Sequence, residues 1–181
     1  IWEKPQLAFF ANKNFKEIDP FVSPDGSTIL FNANKNDAND FDIFAVYKKD
    51  NKWSEVVKLP NTINTKNSDF YATMSLNKNI YFTRRIESND IYVSYFINNK
   101  YEEAIKLDTL INTDKAESNP FISKNEDYLI FFSNREGGFG EVDLYISFKK
   151  NQVWSKPINL GNLINSNLAE SSLVHQLVRL P

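Results

Sequence analysis

The stretch Phe21-Val-Ser-Pro-Asp-Gly-Ser-Thr-Ile-Leu-Phe31 holds two apolar runs around a Ser-Pro-Asp-Gly turn. That pattern reads as a β-hairpin, because Pro, Asp and Gly each favour a turn geometry that a continuing strand does not. The hairpin recurs. FVSPDGSTILFNA aligns with ATMSLNKNIYFTR at 72–84 and with FISKNEDYLIFFSNR at 121–135, where Asn- and Asp-rich turns replace Pro-Asp-Gly. Three further landmarks share one spacing. An acidic residue opens an apolar strand at Asp42, Asp90 and Asp143. An aromatic precedes polar residues at Trp53, Tyr101 and Trp154. An Ile-Asn-Thr/Ser unit starts at Ile63, Ile111 and Ile164. Each landmark steps by 48 and then 53 residues, so the chain is a threefold repeat with its length change in one loop.

Each repeat divides into four short strands. Strand a covers 20–23, 71–75 or 120–123, strand b 28–32, 79–83 or 128–133, and strand c 42–47, 90–95 or 143–148. Strand d runs from the Trp/Tyr landmark to Leu59, Leu107 or Leu160. No segment sustains a 3.6-residue apolar period, so almost no helix is expected. Four strands per unit of about 50 residues predict an all-β fold, a β-propeller of four-stranded antiparallel blades. The units fall at about 18–67, 68–116 and 117–169, giving about three complete blades plus partial ones. IWEKP at 1–5 matches VWSKP at 153–157, so residues 1–17 read as strand d of a preceding or closing blade. Residues 170–181 read as the start of a further blade, and LVHQLVRLP at 173–181 breaks the pattern. The break is the mark of a truncation, a frameshift or a natural terminal segment. An incomplete ring exposes edge strands and blade faces, which missing blades, a partner or self-association would cover.

The turn SPDG followed by ILF, together with SNREGGFGEVDLYIS at 133–147 and WSKPINLGNLINSNLAES at 154–171, resembles the TolB-like, PD-type propeller repeats of bacterial envelope proteins. The second unit departs from that pattern in lacking Pro-Asp-Gly and the Gly-rich b–c loop. The resemblance implies a periplasmic or secreted binding protein, or a propeller attached to a peptidase or lyase.

Composition narrows the chemistry. The 181 residues are 41% hydrophobic and 14% aromatic, with no Cys. There is then no disulfide framework, thiolate zinc site or Cys nucleophile, and the lack of thiols suits an oxidising compartment. A formal charge of -2 without a basic stripe argues against nucleic acid. No apolar run approaches the roughly 18 residues of a membrane span. The single histidine, His175, lies in the anomalous tail, which disfavours a Ser-His-Asp triad.

Candidate site residues follow from loop position. In propellers the b–c and d–a loops share a face that commonly binds ligands. Arg84, Arg85 and Arg135 fall at the b–c loops with Phe139, and convergent Arg and aromatic groups there would grip a carboxylate, a sugar or a protein partner. Asp42, Asp90 and Asp143 read as caps of their b–c turns rather than as ligands, because they recur in every unit. NKNDANDFD at 34–42 is rich in oxygen ligands but lacks calcium-loop spacing, so no metal is expected. The Trp/Tyr series reads as inter-blade packing rather than as a sugar platform. No cofactor motif is present. The expected function is therefore non-catalytic binding of a protein or glycan. The alternative is a carbohydrate-active or hydrolytic propeller, or an accessory domain of one, with carboxylates converging at a central channel.

Overall fold

In the computed structural model, residues 3–35 and 40–170 are described. Trp2, residues 36–39 of the 34–42 loop, and the tail with His175 lie outside them. The described residues form strands and turns with no helix, as expected.

Three antiparallel sheets follow one another along the chain. The first contains β1 (Phe15–Val22), β2 (Thr28–Lys35) and β3 (Asp42–Lys49), and β3 also pairs with β4 (Lys52–Trp53) and β5 (Val57–Lys58). The second is built from β6 (Ser68–Met74), β7 (Ile80–Arg85) and β8 (Asn89–Ser94), beside the small hairpin of β9 (Phe96–Ile97) and β10 (Lys100–Tyr101). Its outer member is β11 (Ile105–Lys106). In the third, β12 (Glu117–Ile122), β13 (Tyr128–Ser133) and β14 (Asp143–Lys150) are followed by β15 (Val153–Trp154) and β16 (Ile158–Asn159), both paired with β14.

Two features depart from the strands read in the sequence. The expected strand d is broken into two short segments in every unit, and in the first and third a serine side chain takes over a ladder position. Ser54 Oγ accepts the Tyr47 N–H at 3.0 Å, and Ser155 Oγ accepts the Phe148 N–H at 3.0 Å. The expected strand a begins several residues earlier, at Phe15, Ser68 and Glu117, and passes through a bulge. The register shifts between Ile18 and Phe21, between Phe70 and Thr73, and between Ser118 and Phe121. Asp19, Tyr71 and Asn119 sit at these bulges with φ of 52°, 55° and 51°.

The sheets pack face to face. One core joins Leu30, Ile43 and Ala45 of the first sheet to Ala72, Met74, Ile80 and Phe82 of the second. Another joins Tyr81, Ile91 and Val93 of the second to Ile122, Leu129 and Phe131 of the third. Tyr101 packs on the first core and Trp154 lies in the second, so the aromatic landmark fills the space between successive sheets. Trp53 takes the same position on the first sheet, where the segment before β1 covers it through Phe9, stacked at 5.6 Å. That segment, residues 3–14, carries no strand.

The Ile-Asn-Thr/Ser landmark is a fastener. Asn64 accepts the Ile43 N–H at 2.8 Å and donates to the carbonyls of Ile43 and Leu59 at 2.8 and 3.0 Å. Asn112 repeats this with Ile91 and Leu107, and Asn165 with Leu144. The following residue then bonds the acid that opens the next unit. Thr65 binds Asp69, Thr113 binds Glu117, and Ser166 binds Glu170, each through both its N–H and its hydroxyl.

Candidate functional site

The b–c hairpins place the sequence-predicted residues at one end of the sheets, as antiparallel order requires. Arg84 ends up 6% exposed. Its Nε donates to Asp69 at 2.7 Å, an Nη donates to the Ile63 carbonyl at 2.7 Å, and its guanidinium lies over Tyr92 at 4.6 Å. Arg135 is set the same way one unit later. It donates to the Ile111 carbonyl at 2.7 Å, pairs with Glu117 at 3.3 Å, and lies over Tyr145 at 4.9 Å. Both arginines thus tie an acid of their own sheet to the last loop of the preceding unit. Recurrent geometry of this kind is a fastening device.

Arg85 points to the other side of β7, as strand alternation demands. It lies over Phe70 at 5.4 Å and reaches Ser68 Oγ at 3.4 Å. Phe139 is 51% exposed at the tip of the third b–c loop. The ring beside Arg135 is therefore not Phe139 but Phe131 and Tyr145, which the sequence proximity of 135 and 139 does not reveal.

Of the strand-c acids, Asp143 caps its loop as expected, accepting the N–H groups of Phe139 and Gly140. Asp42 and Asp90 instead pair with Lys58 and Lys106 at 2.6 and 2.8 Å. These lysines stand on β5 and β11, where the third sheet has Asn159, which donates to Asp143 at 2.9 Å. Gly140 is required for close approach, since a Cβ there would lie 2.1 Å from the Leu168 carbonyl oxygen. A Cβ on Gly138 would meet the Asp143 carboxylate at 2.2 Å, whereas Gly137, at φ 85° in open space, serves the turn itself.

A second group lies nearby, at the bulges, and the sequence reading did not single it out. The bulges turn Asp19, Tyr71 and Asn119 away from the regular alternation of β1, β6 and β12. Asn32 joins the first two, donating to Asp19 at 3.2 Å and accepting the Tyr71 N–H at 3.1 Å. Asn119 N–H donates to Thr83 Oγ1 at 3.0 Å. Partial desolvation raises the Asp19 carboxyl, opposed by the Asn32 bond. Burial raises the Tyr71 phenol, the Asp19 charge adds to that, and Asn119 and Arg85 act in the opposite direction. Asp19, Tyr71, Asn119 and Arg85 are thus one electrostatic neighbourhood drawn from three sheets. The signal was present as a non-Gly residue at equivalent sites before Pro20, Ala72 and Pro120, but a bulge has no fixed residue type.

Among the described residues no group of three or more His, Cys, Asp or Glu is placed to hold a metal ion, and no helix is long and apolar enough to cross a membrane.

No protein-family model matches the chain, and no curated protein matches it. Solved structures do. A prolyl endopeptidase, from a study of inter-domain dynamics in two such enzymes, aligns with TM-score 0.53 and 10% identity over 82% of this chain and 21% of that one. Bacteroides ovatus xyloglucan PUL GH43B aligns with TM-score 0.49 and 15% identity, over 83% of this chain and 30% of its own. A Fusarium graminearum GH93 α-L-arabinofuranosidase, solved with arabinobiose, gives TM-score 0.43 and 15% identity, over 83% and 51%. The chain spans about a fifth of the first of these proteins and about half or less of the others. At such identities the likeness is one of fold alone, and the fold is of the β-propeller type.

Proposed function

We propose that the chain is a non-catalytic binding part of a β-propeller with four-stranded blades, and that it recognises a glycan at the b–c end of its sheets. A protein partner is the other occupant this end would suit. The observation that carries the reading is the meeting of Asp19, Tyr71 and Asn119, from bulges of three consecutive sheets, with Arg85 at the end of β7. A carboxylate, a phenol, an amide and a guanidinium beside the Phe70 ring supply the donors, acceptors and apolar face that sugar hydroxyls need. Phe139, exposed at the tip of the third b–c loop, lies at the same end of the sheets. In this reading Arg84 and Arg135 hold the blades that carry the site, while Arg85 contacts the ligand. The Ser166–Glu170 latch, which repeats Thr65–Asp69 and Thr113–Glu117, supports a further blade from about residue 170. The resemblance of the repeats to the TolB-like type and the absence of Cys are what support a periplasmic or secreted location.

Calorimetric titration with a panel of soluble oligosaccharides tests this. The expected result is saturable binding that weakens at least tenfold in Arg85→Ala and in Tyr71→Phe, with no hydrolysis products. Binding unchanged in both variants removes the proposal. Hydrolysis that disappears in Asp19→Asn replaces it with the glycosidase reading, which requires a second carboxylate facing Asp19.

A further inference from the structure

The opposite end of the sheets, where the a–b and c–d turns lie, carries a different comparison within the same molecule. Each a–b turn holds one residue at positive φ, which in the second and third units lies beside the preceding sheet. It is Gly26 in the first unit, Lys78 in the second and Glu126 in the third, at 69°, 65° and 61°.

Between the second and third sheets the site is closed around a carboxylate. Glu126, 7% exposed, accepts from Ser75 Oγ at 2.7 Å, Asn79 Nδ2 at 2.6 Å and Tyr81 OH at 2.8 Å. Lys149 Nζ stands 3.3 Å away and lies over the Trp154 ring at 5.2 Å. Burial pushes the Glu126 carboxyl up, but these hydrogen bonds and the Lys149 charge outweigh it and hold it below the usual range.

Between the first and second sheets the equivalent place is a cavity of about 380 Å³. Lys78 stands at the position of Glu126, Thr28 at that of Asn79, and Tyr101 at that of Trp154. The lining is completed by Ser27, Tyr47, Lys48, Met74 and Phe96, and it contains no carboxylate. Lys78 lies over Phe96 at 5.4 Å, and Lys48 over Trp53 at 5.8 Å. Two cations, four hydroxyl-bearing side chains of mixed length and an aromatic wall thus surround a space whose counterpart holds a carboxylate.

We propose that this cavity binds a small organic carboxylate with an apolar or aromatic body. Lys48 and Lys78 provide the charge that Lys149 provides in the closed site. Thr28, Tyr47 and Tyr101 provide hydroxyls for hydrogen bonds, the Ser27 hydroxyl being already donated to Asp25 at 2.8 Å, and Met74, Phe96 and the Tyr101 ring receive the apolar body. Because it lies at the other end of the sheets, the site is independent of the glycan proposal.

Amide-shift titration of the ¹⁵N-labelled protein tests it, with benzoate as a free acid and, separately, an acetylated peptide ending in Phe-carboxylate. Neutral benzamide is the control. Expected are saturable shifts at residues 27–28, 47–48, 78 and 96 with either carboxylate and none with benzamide. A stronger response to benzoate assigns the site to free metabolites, and a stronger response to the peptide assigns it to a chain terminus. Affinity falls at least tenfold in Lys78→Gln and in Lys48→Gln, both at exposed positions, and binding is lost in Lys78→Glu, which restores the internal carboxylate of the third unit. Equal shifts with benzamide, or unchanged affinity in both glutamine variants, overturn the proposal.

Discussion

At the scale of the residue, the asparagine of each Ile-Asn-Thr/Ser landmark is the most economical element of the molecule. One amide side chain bonds backbone groups where the outer ladder ends, sharing the Ile43, Ile91 and Leu144 carbonyls with the N–H groups of Leu59, Leu107 and Leu160, and unpaired buried groups cost about 1–3 kcal/mol each. Asn112→Ala strips partners from the Ile91 N–H and from the Ile91 and Leu107 carbonyls. The expected loss is about 3 kcal/mol, read from urea unfolding, and a loss below that of an average surface substitution would contradict the fastener. Asp25 gives a pH signature. Ser23 and Ser27 donate to its carboxylate and lower its pKa to about 2. A depressed folded pKa contributes stability that is present above pH 4 and lost as pH falls towards 2. The unfolding midpoint of the wild type should therefore fall faster with acid over that window than that of Asp25→Asn.

At the scale of the element, the c–d turns show how far the sequence could be read. Each has two successive residues at positive φ: Asp50-Asn51, Asn98-Asn99 and Asn151-Gln152. That is the pattern of a type I′ hairpin turn, which favours Asn and Gly. Gln152, at φ 64°, is the poorest fit of the six. Gln152→Gly should stabilise the protein by up to about 1 kcal/mol, measured as a rise in the denaturation midpoint. KKDNK at 48–52, INNK at 97–100 and KKNQ at 149–152 are legible as compact hairpin turns, because Asn, Asp and Lys clusters between apolar runs have a mechanism behind them. The early half of strand a was not legible. Ser68-Asp69 and Glu117-Ser118 lack an apolar alternation because their acids are buried in hydrogen bonds rather than in packing. The bulge that follows also resets the side-chain parity on which such reading depends. For the same reason the sequence located Arg84 and Arg135 correctly at the b–c hairpins, yet carried no sign of the acids in the strand a next to them.

At the scale of the whole molecule, stability is divided between two sheet-to-sheet cores that share few side chains. Ile43 belongs to the first and Ile122 to the second, and both are almost fully buried. Ile43→Ala and Ile122→Ala should each cost about 2–5 kcal/mol, and their sum should match the double variant within about 0.5 kcal/mol. Urea unfolding of the three variants checks this, and marked non-additivity would mean that the second sheet transmits strain between its two faces. The repeat, the all-β class and the packing role of the aromatic landmark were readable because they recur three times, while the bulge cluster depends on contacts between sheets that no single unit contains. The antiparallel order also segregates the two ends of the sheets, with a–b and c–d turns at one rim and b–c hairpins at the other. With no native thiol in the chain and Val153 61% exposed on the c–d rim, a cysteine introduced there would be a unique chemical handle. A molecule tethered through it would stand on a sensor surface in one orientation, with Arg85 and Phe139 presented to the solution.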